Sequence, residues 1–237
     1  MRIPIRALLV AGTSPLGRRG VLSGIDKQRV DRALRVSRGG LSGDEQGDKK
    51  HHGGPEKAVH HYPYEHYRHW RAEIPALAEN LGREGAFGEN LSIEGLTEEN
   101  VCIGDVFRLG SARVQVSQAR QPCWRLNERF NLPDMARRVQ DSGRTGWYYR
   151  VLESGWVEPG DEFELLDRTC SSWPLARILR LFYHDTLNLT GLAQLTELAP
   201  LSESWRKLAG ARSARRAVED WSRRLETPHD RSEDPPK

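Results

Sequence analysis

Residues 106–118 read VFRLGSARVQVSQ, two runs alternating between apolar and polar residues on either side of Gly110 and Ser111. A period of two puts every second side chain on one face of a strand, and glycine supplies the positive φ that a two-residue turn demands. The stretch therefore predicts a tight β-hairpin. The same texture continues outward: short runs broken by glycine-rich turns extend from Ile5 to about Asp167, with Val101–Leu109, Ala112–Gln118 and Glu162–Leu166 the best formed. Many short strands at this spacing predict a barrel. Two helices are expected to interrupt it. In YPYEHYRHWRAEIP, Pro63 sits as a first-turn proline, Tyr67, Trp70 and Ile74 share a face, and Pro75 is the stop. In LPDMARRVQDSG, Pro133 opens the helix, Met135 and Val139 face inward, and Gly143 ends it.

Beyond Cys170 the pattern changes to helical periodicity. Leu175, Ile178, Leu179 and Phe182 recur at i, i+3, i+4 and i+7 behind Pro174. Leu192, Leu195 and Leu198 form a second stripe, and a third begins behind Ser202 with Trp205, Leu208 and Ala209 inward. A further run carries Val218, Trp221 and Leu225. The expected class is α+β: a predominantly β-barrel domain over 1–169 with peripheral helices, then a small all-α domain over 170–225. The closing ETPHDRSEDPPK, residues 226–237, has too little apolar surface to offset the cost of ordering and is expected to be a disordered tail. The stretch from Gly17 to Arg35 is too polar to assign a strand order.

Composition narrows the function. The 36 Lys and Arg nearly balance 33 Asp and Glu, a net charge of +3, so overall charge does not drive binding to a polyanion. A mean hydropathy of -0.68 and the lack of eighteen consecutive apolar residues predict a soluble protein, and three cysteines that cannot all pair fit a reducing, cytoplasmic setting. The three cysteines, Cys102, Cys123 and Cys170, form no CxxC and cannot supply the four thiolates of an iron–sulfur cluster. No GxGxxG follows a strand, so neither a nicotinamide nor a flavin signature is present.

Four stretches carry candidate chemistry. In QVSQARQPCWRL (115–126), Pro122 stiffens the backbone just past a strand end, and Arg120 and Arg125 flank Cys123. Nearby positive charge favours the thiolate that binds soft metals. A small buried hydrophobe is the competing reading of Cys123. In GLSGDEQGDKKHHGGPEKAVHHYP (40–63), Lys49, Lys50, His51, His52 and Lys57 surround Gly53 and Gly54, whose backbone N–H groups can approach an oxyanion. A solvated loop is the plainer reading there. In GAFGENLSIEGLTEENVCIGDVF (85–107), Asn90 either reads a heterocycle edge or caps a turn. In DSGRTGWYYRVLESGWVEPGD (141–161), Trp147, Tyr148 and Tyr149 pack a core or line a site. His60, His61, His66 and His69 tempt one towards zinc, yet no HExxH occurs and His66 and His69 share a helix with Tyr67 and Trp70.

In this order the four stretches resemble the MOSC family, and most closely its YiiM-type branch, over roughly residues 1 to 225. The resemblance implies a β-rich domain followed by three helices, and a molybdenum cofactor (Mo-molybdopterin) whose metal is ligated by Cys123. It implies Lys49, His52, Gly53, Gly54, Asn90, Arg120 and Gln121 around the phosphorylated pterin. It further implies reductive removal of oxygen from N-hydroxylated, purine-like bases. Because the chain lacks an electron-entry signature, a separate flavin or iron–sulfur reductase is the expected partner, with Arg212, Arg215, Arg216, Arg223 and Arg224 either its docking face or an ordinary solvated surface. Two alternatives remain open at this point: a sulfur carrier working through a Cys123 persulfide, and a non-enzymatic binding module.

Overall fold

The computed structural model describes residues 2–47 and 53–228. The strands are β1 (Arg2–Pro4), β2 (Ala7–Val10), β3 (Ser14–Leu16), β4 (Val21–Ser23), β5 (Gln28–Arg29), β6 (Leu34–Ser37), β7 (Gly40–Leu41), β8 (Val59–Pro63), β9 (Leu91–Ile93), β10 (Val106–Leu109), β11 (Ala112–Ala119), β12 (Trp147–Glu153), β13 (Gly155–Val157) and β14 (Glu162–Asp167). The helices are α1 (Tyr64–Glu73), α2 (Arg125–Phe130), α3 (Met135–Ser142), α4 (Leu175–Tyr183), α5 (Leu189–Thr196), α6 (Glu203–Arg215) and α7 (Ser222–Leu225).

Nine strands make one sheet in the order β1-β14-β10-β11-β12-β8-β9-β2-β5, antiparallel except for the β8/β9 pair. That order has two ends, so the expected closed barrel is not confirmed; the molecule is an α+β fold built on a large sheet. The segment from Arg2 to Val10 pairs with β14 through β1 and with β9 through β2. At its bend Ile5 N donates to Asp161 O (3.0 Å) and Arg6 N to Ser92 O (3.1 Å), so one stretch of chain serves two partners.

The hairpin forms as its pattern requires. Leu109 pairs with Ala112, and Gly110 has φ +58°, where a Cβ would lie 2.1 Å from Trp156 O. The strand expected from Val101 is shorter and starts at Val106. Gly104 turns the chain at φ +80°, and the Asp105 carboxylate accepts Cys102 N (2.8 Å) while pairing bidentately with Arg168. Alternation alone cannot reveal a turn held by a side chain three residues on.

The helices cover this framework. Tyr67 and Trp70 of α1 are buried, whereas Ile74 is its C-cap. Helix α3 starts at Met135 behind Asp134, two residues later than Pro133 suggests. Helix α2, directly after Cys123, was not expected. In α4 the predicted stripe Leu175, Ile178, Leu179 and Phe182 is buried, and Ser202 Oγ caps α6 by accepting Trp205 N. These apolar faces join the sheet in one cluster that contains Phe107, Trp147 and Tyr149 as well as Phe182 and Trp205. Burial of each such side chain contributes on the order of 1.5–3 kcal/mol, so the helices and the sheet stabilise one another.

The C-terminal arginines divide. Arg212 is fully buried, with Nε and Nη2 on Glu219 (2.8 and 2.6 Å) and Nη1 on Phe182 O (2.7 Å). Arg224 donates to Pro122 O and Gln140 Oε1 (both 2.5 Å). Only Arg215, Arg216 and Arg223 of the expected basic run are exposed, because the fold uses the other two as internal struts. Among the described residues no helix is long and apolar enough to cross a membrane.

Candidate functional site

Strand β11 ends at Ala119 and delivers Arg120 to Trp124 as a loop that α2 closes. The loop borders a cleft whose walls include Lys27, Lys57, His60, Arg120, Cys123 and Tyr148. Cys123 is not displayed at an open rim. It is only 8% exposed and faces this cleft, with Arg120 and Arg125 on the same walls. Both flanking cations expected from the sequence are therefore present at the site.

Arg120 is buried, and its Nη1 donates to Phe87 O at 2.7 Å, anchoring one wall to the Gly85–Asn90 loop. That loop is built around the fully buried Glu89. Its Oε1 accepts Tyr67 Oη (2.5 Å) and Gly85 N (2.7 Å), and Oε2 accepts Phe87 N (3.2 Å). Burial raises the Glu89 pKa against the opposing hydrogen bonds from Tyr67 and Gly85. Gly88 has φ +75°, and a Cβ there would lie 2.9 Å from Ile25 Cγ1, so glycine is required for the loop to lie on the 25–27 segment.

Asn90 borders the cleft, but its amide joins two strands. Oδ1 accepts His60 N (3.0 Å) and Nδ2 donates to Leu9 O (3.1 Å), while its own backbone bonds His60 O (2.8 Å) and Leu9 N (2.9 Å). The side chain acts as an extra peptide group in the sheet. Gln121 lines a neighbouring cavity rather than the cleft. Gly53 and Gly54 precede the short turn Pro55–Lys57, which carries Lys57 to the cleft, and neither glycine borders it. Lys49 and His52 lie outside the described residues.

Several wall residues carry no motif in the sequence. Lys27 comes from the polar 17–35 stretch and is buried against Asp44; burial lowers its pKa, with Asp44 opposing. His60 Nδ1 lies 3.0 Å from Gly88 O and so holds the proton, leaving Nε2 a buried acceptor with no partner among the described residues. Its pKa falls well below the usual value, chiefly from burial and then from Arg120. Tyr148 stays protonated because burial raises its pKa, Arg120 opposing and Cys123 adding to the rise. Of the three aromatics 147–149, Tyr148 lines the cleft; Trp147 and Tyr149 are core. Two of the other histidines have structural partners: His61 Nδ1 with Tyr149 Oη (3.0 Å) and His66 Nε2 with Glu98 Oε2 (2.7 Å).

This donor set fits an anionic, sulfur-ligated cofactor. A thiol that can bind a soft metal borders the cleft, the cations Lys57, Arg120 and Arg125 can hold phosphate, and the neutral His60 Nε2 can accept an N–H from a heterocycle.

Comparison with known proteins identifies the family. The MOSC domain family matches residues 48–164, and the YiiM-like, 3-alpha helix domain family matches residues 173–216. Protein YiiM of Escherichia coli (strain K12) is 43% identical over 87% of this chain and 91% of its own length. The crystal structure of YiiM from Escherichia coli aligns with a TM-score of 0.78 at 38% identity, covering 91% of this chain and 100% of that one. A protein named Reductase from Gibberella moniliformis (strain M3125 / FGSC 7600) is 39% identical over 81% of this chain but only 34% of its own length. The match thus spans a MOSC domain, the three helices that follow it and the whole length of a solved relative, and on that basis the chain belongs to the MOSC family with a YiiM-like 3-alpha helix domain.

Proposed function

We propose that this protein is a molybdenum-cofactor-dependent oxidoreductase that reduces N-hydroxylated compounds, purine-like hydroxylamino bases among them, to amines, with electrons from a separate flavin or iron–sulfur reductase. The observation that carries the reading is the single cleft in which Cys123 meets Lys57, Arg120 and Arg125. Family membership and the reductase name of one relative support it. The bound group would supply the two-electron redox chemistry. Cys123 would hold its metal, and the three cations its phosphate. His60 Nε2 orients a heterocyclic N–H, and Tyr148 Oη, kept protonated by burial, is a proton donor where the N–O bond is reduced. The balance is R–NHOH plus two electrons and two protons giving R–NH2 and water.

Protein made in cells that synthesise the cofactor should contain molybdenum and phosphorus, and should reduce an N-hydroxylated base with reduced viologen as donor. It should not oxidise NADH or NADPH by itself, and an added flavin reductase should confer that dependence. Full metal loading with no turnover from any donor would reject the reading and favour sulfur transfer.

A further inference from the structure

Lys57 and Tyr148 are walls shared by two spaces: the cysteine cleft on one side, and on the other a second cavity between the sheet and the helical end of the chain. The second cavity is otherwise lined by Gln118 and Gln121 near the end of β11, by Ser204 and Leu208 of α6, and by Trp221 and Arg223. Its charged lining is Lys57, Arg223 and Arg224 against Glu219 and Asp220, whereas the cleft carries Lys27, Lys57, Arg120 and Arg125 against Asp44 and Glu45. The cation excess is larger in the cleft, which suits an anionic group, and smaller in the second cavity, which suits a polar ligand of little or no charge.

The indole of Trp221 is held in a fixed orientation. Its Nε1 donates to Glu219 Oε1 at 2.9 Å, that carboxylate is clamped by Arg212, and the ring meets Tyr183 edge-on with centroids 5.9 Å apart. Trp221 is nonetheless only half-buried, and a wall of the cavity. The half-buried amide of Gln121 makes no hydrogen bond to any described residue, so its donor and acceptor are available to a ligand edge. The wall is also tied to the cysteine loop: Trp124 N donates to Arg224 O (2.8 Å), Asn127 Nδ2 to Leu225 O (2.8 Å) and Arg224 Nη1 to Pro122 O. Three bonds between these two segments keep the second cavity in register with Cys123.

We infer that the second cavity is the substrate subsite, in which a planar, uncharged nitrogen heterocycle lies against Trp221 and is read by the Gln121 amide, its reactive substituent reaching past Tyr148 towards Cys123. An aromatic face with a single free amide is the chemistry that recognises such a ring: the face accepts any flat π-system, and the amide selects an edge with adjacent donor and acceptor. The inference rests on the redox reading of the cleft. It assigns a role to residues 219–225, which lie beyond the matched three-helix segment ending at 216.

The test uses the full chain loaded with cofactor, with an N-hydroxylated purine as substrate and 2-aminopurine as a non-reacting fluorescent probe. Trp221→Ala and Gln121→Ala should each raise KM and weaken 2-aminopurine binding about tenfold, Trp221→Phe should restore most of the loss, and the effect should fall on KM rather than kcat. Molybdenum content per chain should stay that of wild type. Gln121→Ala decides the matter if Trp221→Ala does not fold, because the Gln121 side chain supports no other residue. Wild-type KM and probe binding in folded variants, or no probe binding by wild type, would overturn the subsite. Probe binding that depends on both residues in a protein that reduces no N-hydroxylated compound would keep the subsite and reject the redox reading instead.

Discussion

The Gly85–Asn90 and Arg120–Trp124 loops border the same cleft, yet they use their polar residues in opposite ways. In the first, Glu89 and Asn90 turn inward and bond the backbone, so the polar groups hold the loop and two strands together. In the second, Pro122 O and Trp124 N are held from outside by Arg224, which leaves Cys123 and Arg120 to face the cleft. Substitutions in the first loop should therefore reduce stability, and those in the second should remove the bound group while the fold persists.

The largest expected effect is at Cys123. Cys123→Ser should abolish bound molybdenum and activity while changing the unfolding free energy of the metal-free protein by no more than about 1 kcal/mol. Cys102→Ser and Cys170→Ser should keep the metal. Elemental analysis beside a denaturant titration checks this, and equal metal in wild type and Cys123→Ser would erase the contrast between the loops.

Next comes Glu89→Ala, which strands three buried donors, the hydroxyl of Tyr67 and the N–H groups of Gly85 and Phe87. At roughly 1–3 kcal/mol for each unsatisfied group, the loss should be at least about 3 kcal/mol, visible as a drop in urea midpoint. A smaller change would mean that Glu89 does not hold its loop. Asn90→Ala should cost about 2 kcal/mol by leaving His60 N and Leu9 O without their side-chain partners, with pterin content per folded molecule preserved. Selective loss of pterin at full stability would move Asn90 from the scaffold to the ligand.

The smallest effect is a slope. His61 is buried against Trp147, with ring centroids 4.2 Å apart, and its pKa is lowered from 6.5 to about 3 by burial first and His66 second. Between those values the unfolded chain binds a proton that the folded chain refuses, so stability is intact above about pH 6.5 and falls as the pH drops. The contribution approaches about 1.4 kcal/mol per pH unit. Glu89, raised by burial, acts in the opposite sense just above the ordinary carboxylate range. His61→Asn should flatten the measured slope between pH 6 and 5 by about that amount, whatever its own cost in stability; an unchanged slope would assign the acid sensitivity to other groups.

Local patterns were legible wherever a residue's role depended on its neighbours in the chain. The 110–111 turn, the buried stripe of α4 and the Ser202 cap all follow from periodicity and glycine or hydroxyl chemistry. Cys123 with Arg120 and Arg125 was legible for the same reason, since five residues of loop hold them close together. Lys27 and His60 were not, because nothing nearby in sequence marks a lysine or histidine as a wall of that cleft, and for Tyr148 the sequence left core and site both open.

What the sequence by itself determined was the 106–118 hairpin, the strand at 162–166 and the helices other than α2 near their observed places, the family resemblance, and the one cysteine flanked by cations. Only the tertiary structure decided which polar groups stay available to a ligand. Hydrogen-bonding capacity belongs to a residue type, but whether it is taken up depends on which distant backbone atoms arrive beside it. Asn90 meets His60 and Leu9 and has its amide engaged, and Arg212 meets Glu219 and becomes a strut. Gln121 meets no such partner, so its amide is left facing a cavity.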